Sequence, residues 1–171
     1  GWYRKSFTVP SGCNGKSVIL SFDGVYQNAY VYVNGKKAGE NHYGYTSFSF
    51  DISKYLVCDG LTENVIAVKA VNKIPSSRWY SGSGIYRDVK LIVTDQVHVS
   101  PNGTQITTPD IENGTGTVSA KVNVTNSGTS AANITVRNTV YDKKGQKVSE
   151  SAETALTVEA GSSVEASTNN V

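Results

Sequence analysis

Methionine is absent from this 171-residue chain, and cysteine occurs only at Cys13 and Cys58. With no methionine and an opening on Gly1-Trp2-Tyr3-Arg4, the sequence reads as a segment of a longer polypeptide. Two cysteines are too few for a disulfide scaffold, and their spacing matches no zinc pattern. Both lie beside turn signals, so one bridge is geometrically open; the residues read as two free thiols. No apolar run approaches the length of a membrane span, and neither half of the chain carries a basic run. A membrane and a nucleic acid are therefore not expected as partners. A helical period is also missing throughout, which leaves strands as the only repeated element.

Some shortages are confined to one half. Fifteen of the 16 aromatic residues lie in residues 1–95, and only Tyr141 lies beyond. Residues 1–95 hold 11 Lys/Arg against 7 Asp/Glu, a net +4, whereas residues 96–171 hold 5 against 7, a net −2. So sharp a change near residue 95 predicts two domains, 1–95 and 96–171.

What is present is alternation. Tyr3 to Val9 reads as a strand ended by Pro10-Ser11-Gly12, and Val18, Leu20 and Phe22 share one face of the next. Ala29, Val31 and Val33 alternate with tyrosines and end in Asn34-Gly35, the strongest hairpin signal in the chain. Asn41 to Tyr45 is a polar loop, and Phe48, Phe50 and Ile52 share a face before a capped helical turn from Asp51 to Leu56. Glu63 to Asn72 is a long apolar strand, buried on both faces or beneath a second sheet. His42 has no Cys, His or acidic partner at ligand spacing and reads as solvated, and His98 as an outward strand residue. No metal site is expected.

Beyond Pro101-Asn102-Gly103 the composition turns to Thr, Asn, Ser, Gly and Val. Strands are expected around Val118 to Val124, Ile134 to Val140, Leu156 to Val158 and Val164 to Ala166, with a hairpin at Asp142-Lys143-Lys144-Gly145. Short strands with polar outer faces suggest an immunoglobulin-like sandwich without the usual Cys–Trp–Cys core. The sequons at Asn102, Asn113, Asn123 and Asn133 are what an Asn/Thr-rich strand sequence yields by chance.

One loop stands apart. Arg78-Trp79-Tyr80-Ser81-Gly82-Ser83-Gly84 places two aromatics and an arginine in a Gly/Ser segment that feeds the alternating run Val89 to Val93. An indole face and a fixed guanidinium on a loop are groups a scaffold carries for binding. On the residues alone, a core tryptophan tucked under a turn is the competing reading of Arg78, Trp79 and Tyr80.

Gly1-Trp2-Tyr3-Arg4-Lys5-Ser6-Phe7, Phe22-Asp23-Gly24-Val25-Tyr26, Val31-Tyr32-Val33-Asn34-Gly35, Gly44-Tyr45-Thr46 and Ser77 to Val89 follow one another in order. Together they resemble the N-terminal sugar-binding jelly roll of glycoside hydrolase family two, the β-galactosidase and β-glucuronidase family of bacteria. Residues 96–171 resemble the immunoglobulin-like domain that follows it. The resemblance implies an all-β fold: a jelly-roll, galactose-binding-like sandwich and then an immunoglobulin-like sandwich, both read as truncated. It also implies a (β/α)8 barrel elsewhere in the polypeptide carrying two catalytic glutamates, since retaining hydrolysis needs paired carboxyls about 5 Å apart. The glutamates of this chain fall at strand ends and turns, so no catalytic residue is expected here, and no cofactor. Partners implied are a β-galactoside or related glycan and the barrel, and the resemblance makes Arg78, Trp79 and Tyr80 the candidate substrate-binding residues, since they match a loop that walls off part of the sugar subsite. Some members carry an acidic residue just before the tryptophan, where this chain has Ser76-Ser77-Arg78, so a direct carboxylate contact from this loop is not carried over. The competing readings are an autonomous carbohydrate-binding module and a bacterial surface protein of stacked sandwiches.

Overall fold

The computed structural model describes residues 1–73 and 81–170. Contacts divide them into two compact units, Gly1–Asp95 and Gln96–Val171. Among the described residues every element is a strand or a single 3-10 turn.

The first unit is a sandwich of antiparallel sheets. One sheet runs β1 (Trp2–Thr8), β7 (Glu63–Ala70), β4 (Ala29–Val33) and β5 (Lys36–Asn41). The other runs β6 (Phe48–Asp51), β2 (Ser17–Phe22) and β9 (Val89–Thr94). A two-residue ladder of β3 (Val25–Tyr26) and β8 (Gly84–Ile85) joins the same unit. Alternation decides which residues meet. Val18, Leu20 and Phe22 of β2 face Val31 and Val33 of β4 and Ile66, Val68 and Ala70 of β7 in one buried cluster. β7 is thus buried through every second residue, beneath the second sheet, as its apolar run suggested. Asn34 and Gly35 both have positive φ, 49° and 79°, which is the geometry of the tight hairpin joining β4 to β5.

The two long edges of the sandwich differ. On one, Phe50 of β6 packs so closely over Gly39 of β5 that a Cβ there would sit 2.3 Å from the ring. The opposite edge is open. Val89, Leu91 and Val93 pair with Phe22, Leu20 and Val18 and so share their core-side face. Their partners are buried, yet these three remain 43%, 42% and 46% exposed. Tyr3, Lys5 and Phe7 of β1 lie opposite Val68, Ile66 and Asn64 in the same way, and a slot of about 400 Å³ separates the two edge strands.

The turn at Asp59 is built on its carboxylate. It accepts bonds from the Thr62 hydroxyl (2.6 Å) and from the backbone N–H groups of Thr62 (2.7 Å) and Leu61 (2.8 Å). These bonds, the Thr62 hydroxyl foremost, lower its pKa from 3.8 to about 2. A folded value below the unfolded one means the stabilisation is present above about pH 4 and is lost as pH falls through about 2. Thermal unfolding across that window should therefore show a smaller acid loss in Asp59→Asn than in the parent. Equal slopes in the two proteins would refute this role.

The second unit pairs β10 (Val97–Thr107), β13 (Val118–Asn126) and β18 (Ser162–Asn170) in one sheet. It also contains the hairpin of β11 (Ile111–Glu112) with β12 (Thr115–Gly116), the pair β14 (Ala132–Val136) with β17 (Thr154–Val158), and the hairpin of β15 (Thr139–Tyr141) with β16 (Lys147–Glu150). Pro101-Asn102-Gly103, beyond which the composition changes, forms a bulge inside β10. Its register shifts between Val99 and Thr104, and Asn102 takes φ 56°. The Asp142–Gly145 hairpin forms as expected, with Asp142 Oδ1 accepting from Lys144 N (2.8 Å) and Gln146 N (2.9 Å). His98 pairs with Thr125, on the face away from buried Val124, as expected of an outward strand residue, and is half-buried there.

Candidate functional site

Arg78, Trp79 and Tyr80 lie outside the described residues. The residues flanking their segment are placed, and Asn72 Nδ2 donates to Ser83 Oγ at 2.8 Å. From Ser83 the chain enters β8 and then a cleft that the loop motif alone did not reveal.

That cleft is made where two segments run antiparallel past the ends of β2 and β9. Asp23 N donates to Asp88 O (2.9 Å) and Tyr86 N to Gly24 O (3.3 Å). The close approach depends on glycine: a Cβ on Gly24 would lie 2.6 Å from the Tyr86 ring. Tyr86 then reaches across to the loop after β5, its hydroxyl donating to Gly44 O at 2.7 Å. Gly44 is buried against Tyr26, whose ring would be 2.4 Å from a Cβ there. Tyr26 in turn meets Tyr45 edge-on, centroids 5.3 Å apart, and Tyr45 meets Tyr43 at 5.9 Å. Two glycine–tyrosine contacts therefore hold a cluster of four rings.

Tyr45 and Tyr86 flank an open cleft of about 720 Å³. Asp23, Arg87 and Asp88 supply its charges, and Thr46 and Ser47 its hydroxyls. Lys90 Nζ bonds Asp23 Oδ2 at 2.5 Å and lies 4.0 Å from Asp88 Oδ2. The bond to Asp23 raises the Lys90 pKa above its ordinary value, so the ammonium is fixed across the neutral range. The Arg87 guanidinium lies 5.6 Å from the centroid of the Tyr86 ring. Partial desolvation, with Tyr26 close by, raises the Tyr45 pKa and keeps it a neutral phenol. Asp23, Asn34 and Gly35 were all legible as turn residues, and the structure adds ion pairing to the first.

His42, expected to be solvated and without an acidic partner, has one. Its Nε2 lies 3.3 Å from Glu40 Oε1, its Nδ1 lies 3.1 Å from Asn28 Oδ1, and its ring meets Tyr30 edge-on. The partner is two residues away on β5, whose end places both side chains together. Hydrogen bonding to Lys37, and secondarily to His42, lowers the Glu40 pKa. Among the described residues no group of three His, Cys, Asp or Glu side chains converges as a metal site would require.

In chemical terms the cleft offers aromatic faces, two carboxylate acceptors and two hydroxyls. Asp23 and Asp88 both lie beside the Lys90 ammonium.

The family model described as the sugar binding domain of glycosyl hydrolases family 2 matches residues 1–95. The chain belongs to glycosyl hydrolase family 2. A β-galactosidase of Bacteroides ovatus is 41% identical over 151 residues, covering 88% of this chain and 18% of that protein. Among solved structures, a family 2 member from Bacteroides cellulosilyticus superposes with a TM-score of 0.88 at 33% identity, over 99% of this chain and 23% of that one. A β-glucuronidase of Bacteroides uniformis gives a TM-score of 0.89 at 30% identity, over 99% and 21%. The chain thus spans about a fifth of the length of these family 2 relatives, and they are glycosidases.

Proposed function

We propose that residues 1–171 are a non-catalytic, two-sandwich portion of a β-galactosidase-like retaining glycosidase. The first unit braces a catalytic barrel supplied by other parts of the polypeptide and shapes the mouth of its sugar pocket. Residues 96–171 serve as an immunoglobulin-like spacer. The observation that carries this reading is the match of residues 1–95 to a sugar binding domain, within relatives about five times longer that hydrolyse glycosides. Arg78, Trp79 and Tyr80 follow the ladder strand β7 and precede β8, and in this reading they reach the sugar: indole face on the ring, guanidinium on hydroxyls.

Two assays test it. The chain alone, given aryl β-galactoside and aryl β-glucuronide, should produce no more aglycone than buffer; turnover that copurifies with it would overturn the non-catalytic assignment. In the full-length protein, Trp79→Ala should lower kcat/KM by about a hundredfold, because misplaced substrate costs that much. An unaltered kcat/KM would remove the loop from the pocket.

A further inference from the structure

The geometry points to the cleft between Tyr45 and Tyr86 as a binding site for a neutral hexopyranoside, one that works in this chain by itself. The inference rests on the sugar-binding reading above and adds a location, a ligand class and an activity separable from the barrel.

Four observations converge on it. First, Tyr45 and Tyr86 both line the cleft and are 65% and 47% exposed, and Tyr45 is the freer of the two for stacking. The axial C–H face of a pyranose is apolar and stacks on such rings, while its rim of hydroxyls needs acceptors and donors. Second, that rim is met. Asp23 and Asp88 offer carboxylate oxygens, whose bonds to hydroxyls are charge-assisted, and Thr46 and Ser47 offer both donor and acceptor.

Third, the walls are already set. Tyr86 is fixed by its hydroxyl on Gly44 O, by its seat against Gly24 and by Arg87 at its face. Tyr45 is held by Tyr26, itself seated on Gly44. Side chains ordered before the ligand arrives cost little to order again on binding. Fourth, the volume suits a small ligand: about 720 Å³ lies within the usual range for such sites.

Charge selects a neutral sugar over a uronate. Of the charged residues that line the cleft two are carboxylates, Asp23 and Asp88, and one is a cation, Arg87, while Lys90 is engaged by Asp23. Asp88 is left largely exposed at the rim, where it would repel a sugar carboxylate and accept from a sugar hydroxyl.

The test is a titration of the 171-residue chain with methyl β-galactoside, methyl β-glucoside and methyl β-glucuronide, followed by calorimetry and by backbone amide shifts. Saturable millimolar binding of a neutral glycoside is expected, with shifts centred on residues 44–47 and 86–88. Tyr45→Ala should weaken it about tenfold, as loss of one stacking face implies. Asp88→Asn, an exposed change that leaves the fold alone, should weaken the neutral glycoside and narrow its advantage over the glucuronide. Tyr141→Ala, in the other unit, should change nothing. Unchanged affinity in both cleft variants, or tighter binding of the glucuronide, would overturn the inference. So would silence across all three glycosides with a folded spectrum. That last result leaves the accessory role in the full enzyme standing, since the effect of Trp79→Ala on kcat/KM is measured separately.

Discussion

Asn64→Leu is expected to destabilise the first unit by about 3 kcal/mol, because it removes three hydrogen bonds made by a fully buried side chain, each worth about 1 kcal/mol. Asn64 is fully buried on β7 among apolar neighbours. Its Nδ2 donates to Val57 O (2.8 Å), and its Oδ1 accepts from Val57 N (2.8 Å) and from Asn34 Nδ2 (2.8 Å). Asn34 passes the connection on, donating to Tyr55 O and accepting from Val65 N. One side chain therefore ties the β4–β5 turn, the segment after the 3-10 turn Ser53–Tyr55, and β7. Leucine fills the space but leaves the Val57 N–H and C=O without partners. Denaturant unfolding should show a lower midpoint at unchanged m; a loss under about 1 kcal/mol would mean that these backbone groups find partners without Asn64. The second unit repeats the device. Asn126, also buried, donates to Ser130 O and Val158 O and accepts from Gly128 N.

Phe22→Ala should cost still more, about 3–5 kcal/mol, the range for emptying a buried phenylalanine site. Phe22 is fully buried and stacks on Phe48 at 5.0 Å with the rings 17° apart. Both rings belong to adjacent strands of one sheet, where they sit directly across from each other. The cavity would open in the middle of the cluster that joins the two sheets. A comparison across the same sheet makes the prediction sharper. Leu91 pairs with Leu20 and faces the same side, but lies at the open edge and is 42% exposed. Leu91→Ala should therefore cost below about 1 kcal/mol, since little buried area is lost. Equal effects from the two truncations, measured by the same denaturation series, would contradict the open edge.

That edge shows the limit of pattern reading. Val89, Leu91 and Val93 have the alternation of a core-facing strand, and they do face the core side. Period two specifies a face; whether another strand covers it depends on sheet order, which places β9 last in its sheet. His42 illustrates the same gap at shorter range. Ligand spacing gave it no partner, but the end of β5 turns it toward Glu40 and Asn28. At Asn102 the composition changes but the strand does not end, because β13 continues on both sides of the bulge and holds β10 in the ladder.

The cleft was the larger omission. Tyr26, Tyr45 and Tyr86 lie far apart in sequence, and each taken singly is an ordinary strand or loop tyrosine. The glycines at 24 and 44 were legible as turn residues, whereas their work is to let rings approach the backbone. Such contacts are set by antiparallel pairing across more than sixty residues, from Asp23 to Asp88.

By itself the sequence determined the strand content, the hairpins at Asn34-Gly35 and Asp142–Gly145, the change of character near residue 95 and the resemblance to family 2. These depend on short-range alternation, on φ preferences of Asn and Gly, and on motifs read in order. Tertiary structure alone decided which edge is open and which closed, the buried asparagine ties and the tyrosine cleft. Each of these is a meeting of residues distant in the chain, and only the register between strands says which residues meet.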